Sequence, residues 1–115
     1  MVSTRYVPDT GDLIWLDFNP QAGREQTGRR PAIVLSPASY NEKSGLAVVC
    51  PITSQVKGYP FEVELPKGLG VTGVILSDHL KSVDWKQRRA ERVGRAPKPV
   101  IQDVRNLLGA LLGIS

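Results

Sequence analysis

Cysteine and histidine each occur once in the 115 residues, as Cys50 and His79. One of each is too few to build a zinc site within a single chain, which needs three or four such ligands. Long apolar runs are missing as well. No stretch approaches the roughly 18 apolar residues of a membrane span, and the opening MVSTRYVPDTGD lacks the apolar core of a signal peptide. These absences lead to the expectation of a cytoplasmic chain with no membrane partner, no metal and no cofactor. Low-complexity blocks and internal repeats are absent too. So are a P-loop, a Ser-His-Asp triad and a two-metal carboxylate cluster.

What is present is a chain of one expected domain, 41% apolar and punctuated by 11 glycines and 9 prolines. That length buries roughly two thirds of the surface exposed by the unfolded chain, enough for an autonomous core. The formal charge of +4 is uneven. Between His79 and Arg95, Lys81, Lys86, Arg88, Arg89, Arg92 and Arg95 face only Asp84 and Glu91. Such a stretch suits a polyanion or an acidic protein as partner, and equally a solvated basic face.

Hydrophobic patterning divides the chain into short strands followed by one helix. The runs 11–18, 32–36 and 46–53 are apolar enough for mostly buried strands, and Cys50 lies inside the last as a packing residue. Residues 61–65 alternate apolar with acidic, the mark of a half-exposed antiparallel strand. Residues 71–77 form a further strand, with 80–85 expected to pair with it. From Val100 the period changes. Ile101, Val104, Leu107, Leu108, Leu111 and Leu112 fall on one helical face, with Pro97 and Pro99 suited to the first turn. The expected class is α+β, a small SH3-like β-barrel packed against a C-terminal amphipathic helix.

The loop GREQTGRRP, residues 23–31, carries the most chemistry. Arg30 directly precedes Pro31 and the second strand, and its planar guanidinium matches phosphate oxygens. Glu25 lies five residues earlier. An acid and an arginine around a phosphodiester supply a proton acceptor and a positive charge for the phosphorane. They supply no nucleophile, which RNA brings as its 2′-hydroxyl. Taken by spacing alone, the same two residues also read as an ordinary loop ion pair.

Nearly the whole chain carries a series of motifs in order: Tyr6-Val7-Pro8-Asp9, Gly11 to Trp15, Phe18-Asn19-Pro20, Gly23, Glu25-Gln26, Gly28 and Arg30-Pro31-Ala32. Val34 to Pro37, Tyr40-Asn41, Pro51-Ile52-Thr53, Lys57 to Phe61 and Leu80 to Trp85 continue it. Together these resemble the MazF/PemK family of toxin endoribonucleases. The resemblance implies a CcdB/MazF-like barrel acting as a homodimer and cutting single-stranded RNA without a metal, leaving a 2′,3′-cyclic phosphate and a 5′-hydroxyl. It places the catalytic set on Glu25, Arg30 and Thr53 and a phosphate contact on Lys57; further RNA contacts are expected at Phe18, Arg29, Ser54, Asp78 and Lys81, with Phe18 reading equally as core and Asp78 and Lys81 equally as a turn salt bridge. Because arginine stays protonated, Glu25 is assigned as base and Arg30 as electrostatic stabiliser. His79 lies outside the matched catalytic positions and is assigned a structural or surface role. The implied partner is a MazE-like antitoxin with an acidic segment. Two other readings compete: a toxin of the same fold that poisons DNA gyrase, and a binding module of this fold without catalysis.

Overall fold

The computed structural model describes residues 6–18 and 28–114. Seven strands and two helices follow one another as β1 (Asp12–Asp17), β2 (Arg29–Val34), α1 (Ala38–Ser44), β3 (Leu46–Thr53), β4 (Glu62–Glu64), β5 (Val74–Leu76), β6 (Lys81–Asp84), β7 (Glu91–Arg95) and α2 (Lys98–Leu112). The chain is α+β, as its patterning predicts. Every pairing is antiparallel, and the path runs β4-β5-β3-β2-β1-β7 with β6 attached to β3. Among the described residues no strand pairing joins the two ends of that path, β4 and β7.

The continuous apolar runs of the first three long strands have a simple cause: those strands are covered on both faces. Leu13, Ile33, Cys50 and Ile52 point into one core, shared with Ile75 and with Val100 and Val104 of α2. Ile14, Leu16, Ala32, Val34 and Val49 point into the other, closed by Val83 and Trp85. Each fully buried Leu or Ile among them contributes roughly 1.5–3 kcal/mol of transfer free energy. Burial also pushes the Cys50 thiol up to about 12, which leaves it protonated and inert as a nucleophile.

Three expectations need correction. The strand at 80–85 pairs with the first half of β3, Val49 opposite Lys81 and Leu46 opposite Asp84, whereas β5 takes the second half. One long strand thus serves two short partners, one along each half. The second strand also begins earlier than its apolar run, so Arg29 and Arg30 belong to β2 rather than to a loop. Finally, Leu111 and Leu112 share the helical spacing of α2 yet remain 46% and 60% exposed, whereas Val100 and Val104 of the same helix are buried in the core.

Two elements escaped the patterning. Helix α1 is seven residues long, and its buried member is polar. Asn41 donates from Nδ2 to the carbonyls of Pro8 (2.7 Å) and Ser36 (3.0 Å), and its own carbonyl receives the Trp85 indole N–H at 3.0 Å. Pro37 offers this helix no side-chain cap, so Asp9 does so from a distance by accepting the Ala38 N–H at 2.9 Å. That bond and one from the Thr10 N–H hold the Asp9 carboxyl below the usual carboxylate range. Strand β7 was hidden by its charges.

Candidate functional site

The ladder between β2 and β3 pairs Val34 with Val49, Ile33 with Cys50 and Ala32 with Pro51. Beyond those pairs, Thr53 of β3 stands opposite Val74 of β5. Across β1, Arg30 stands opposite Leu16. A guanidinium and a hydroxyl that lie 23 positions apart in sequence both line one cleft, Arg30 from β2 and Thr53 from the end of β3.

Two clefts meet at Thr53. The larger, about 680 Å³, is lined by Arg29, Arg30, Ser54 and Thr72 among others, with Trp15 and Pro31 as its apolar wall. The smaller, about 160 Å³, is lined by Lys57, Tyr59, Glu62, Asp78 and His79. Thr53 and Gln55 border both. The Thr53 hydroxyl accepts the Gln55 N–H at 3.1 Å, which orients Oγ1 at the junction. Gly73 supports this corner from β5's leading turn, with φ +123°, a conformation that side chains rarely adopt. A Cβ there would run into the carbonyl of Thr53, so only glycine lets the two segments approach.

Of the residues expected at the site, Arg29, Arg30, Thr53, Ser54, Lys57 and Asp78 line these two clefts. Phe18 and Lys81 line neither; they stack on one another, the Lys81 ammonium 4.8 Å from the Phe18 ring centre. The position of Glu25 lies outside the described residues. Arg29 is heavily committed. Its guanidinium bonds the Asp17 carboxylate at 2.9 Å and the carbonyls of Arg89 and Trp15, and Glu91 lies 3.4 Å away. His79 sits on the rim of the smaller cleft, with Nε2 3.8 Å from the Asp78 carboxylate. Gly73 and Glu62 were missed. Glycine at a turn and glutamate on an alternating strand give no signal in one dimension.

The basic run beyond His79 is mostly bound to the sheet. Arg88 donates to the carbonyls of Asp17 and Phe18, and Arg89 to the Asp17 carboxylate at 2.9 Å. Those bonds from Arg89, followed by Arg29, draw the Asp17 carboxyl below its ordinary range. Arg92 and Arg95 reach Asp12 at 3.4 and 3.3 Å. Asp12 is only 3% exposed, and it also accepts from the Tyr6 hydroxyl and the Asp9 N–H. Burial, reinforced by that carboxylate, pushes the Tyr6 hydroxyl well above the usual phenol range, so it acts as a permanent donor.

Fold and clefts together define a small α+β protein with arginine, hydroxyl and lysine groups along two adjoining clefts. The model of the PemK-like, MazF-like toxins of type II toxin–antitoxin systems matches residues 9–112, and the chain belongs to that family. It is 50% identical over 113 residues to the endoribonuclease toxin MazF of Escherichia coli strain K12, covering 98% of this chain and all of that one. To the endoribonuclease PemK of Escherichia coli it is 36% identical over 108 residues, covering 90% and 81%. The crystal structure of a MazE-MazF complex (Form III) from Deinococcus radiodurans superposes with a TM-score of 0.89 at 60% identity, covering 96% of this chain and 100% of that one.

Proposed function

We propose that this chain is the toxin of a type II toxin–antitoxin pair, a single-domain, sequence-specific endoribonuclease that cuts single-stranded RNA by transesterification. Arg30 and Thr53 on the lining of one cleft, with Thr53 also bordering the cleft that holds Lys57, carry the reading. The substrate's 2′-oxygen attacks the adjacent phosphorus while the P–O5′ bond breaks. Glu25 takes the 2′-proton. Arg30 compensates the charge that grows on the phosphorane, and the Thr53 hydroxyl donates to a non-bridging oxygen. The departing 5′-oxygen takes a proton from solvent water, so the products are a 2′,3′-cyclic phosphate and a 5′-hydroxyl. Positive charge comes from the arginine and the nucleophile from the RNA, so no metal is required.

Lys57 holds a neighbouring phosphate without reading sequence. Ser54 and Asp78 line the clefts and contact the strand, and the Phe18 ring with Lys81 extends the track. With four acceptors around it, Arg29 serves chiefly to hold β2 against β1 and β7. The relatives carry endoribonuclease names, which favours RNA cleavage over gyrase poisoning. A homodimer and a MazE-like antitoxin with an acidic segment complete the assembly, as a solved MazE-MazF complex of a 60% identical chain suggests. Among the described residues no helix is long and apolar enough to cross a membrane, and a cytoplasmic setting accords with an RNA target.

The test is incubation of purified protein with a long single-stranded RNA in EDTA. Discrete fragments are expected, and they should vanish with Arg30→Ala or Glu25→Ala. RNA left intact by wild-type protein would overturn the reading. Elution at twice the 12.6 kDa chain mass tests the dimer.

A further inference from the structure

Residues 54–60 connect β3 to β4 outside any strand or helix, and they carry Lys57 into the smaller cleft. Their backbone amides need partners, as all such groups do. Two consecutive ones point at a single carboxylate: Glu62 Oε2 accepts the Lys57 N–H at 3.1 Å, and Oε1 accepts the Gly58 N–H at 2.9 Å. The Glu62 N–H in turn donates to the Tyr59 carbonyl at 3.1 Å, closing the turn on itself. Gly58 has φ +79°, so the amide pair forms the concave nest that attracts anions. Here the nest is already filled by the chain's own glutamate.

We propose that Glu62 is a positioning residue for RNA, acting through Lys57; the inference rests on the nuclease reading above. By occupying both amides it fixes the backbone from which the Lys57 side chain projects beside Thr53. It also removes those amides as phosphate ligands, leaving the ammonium as the turn's contribution to the strand. Glu64, two residues along the same strand, is exposed and has no such bonds among those described, so it serves as the internal control.

Steady-state kinetics on a fluorogenic single-stranded RNA of mapped cleavage sequence, in EDTA, test this. Glu62→Ala should raise KM about fivefold, the worth of one ordinary hydrogen bond, with kcat within about twofold of wild type. Glu62→Gln keeps one carbonyl acceptor and should give a smaller rise, and Glu64→Ala none. In a Lys57→Ala background, Glu62→Ala should add nothing further, which a general loss of stability would not reproduce. A wild-type KM for folded Glu62→Ala, or an equal rise in both backgrounds, overturns the inference; if the alanine variant does not fold, Glu62→Gln is judged by the same criteria. RNA left uncut by the wild type would instead sink the nuclease reading on which the inference rests.

Discussion

Two basic regions of this molecule look alike in sequence and differ in what their charges face. The run from Lys81 to Arg95 carries a net charge equal to that of the whole chain, yet Arg88, Arg89, Arg92 and Arg95 are all bound to acids and carbonyls of β1 and its neighbours. Lys86 lies over the Trp85 ring at 5.7 Å. Arg30 and Lys57, isolated by comparison, line the clefts that meet at Thr53. The first region is a clasp closing the sheet's β1–β7 side; the second is the proposed place for an anionic ligand. A count of charge therefore locates structure as readily as it locates a binding surface. Arg89 itself adopts φ 54°, a left-handed geometry that turns its carbonyl to Arg29 at 2.6 Å.

The sharpest way to break this comparison is to remove one arginine from each region. Arg30→Ala should cut the cleavage rate by about 10²–10³, the loss typical for a group that stabilises developing charge, with little change in melting temperature. If cleavage persisted near wild-type rate, the clefts would not be the site. The clasp should show the reverse pattern. Asp12→Ala leaves Tyr6, Arg92 and Arg95 without their shared acceptor, and should cost about 2 kcal/mol of stability by denaturant titration while residual folded protein still cuts RNA.

Acid should loosen the clasp before it touches the arginines. Asp17 and Asp9 titrate lower in the folded chain than their usual ~3.9, so the unfolded state takes up protons first as pH falls. Their contribution is complete above that value and is lost as pH drops through the lower folded values. Melting temperature should accordingly fall between pH 5 and pH 3, and fall less in Asp9→Asn; equal slopes in both proteins would count against the assignment. The smallest effect belongs to Arg89→Ala. It removes an exposed pair with Asp17, so a stability change within about 1 kcal/mol and unaltered cleavage are expected.

Legibility followed burial. The strands β1, β2 and β3 stand out because both their faces are covered, and α2 because Val100, Val104 and their neighbours repeat at helical spacing. Helix α1 was silent, since seven residues around a buried Asn41 make no apolar period. Strand β7 was silent because its outward charges mask the pairing with β1. At the site, the resemblance singled out Arg30, Thr53 and Lys57, and their places on the clefts appear only in the folded chain. Glu62 and Gly73 could not be singled out, because their partners exist only once the loop and β5 are in place.

By itself the sequence determined the class of fold, the family and the residue types available for phosphate chemistry, since these depend on local patterning and on motifs read in order. Tertiary structure alone decided which arginines are occupied and which line a cleft, and which half of β3 each short strand joins. The physical reason is that a hydrogen bond or ion pair depends on distances of about 3 Å between groups that can be 80 residues apart, and no local pattern encodes those distances.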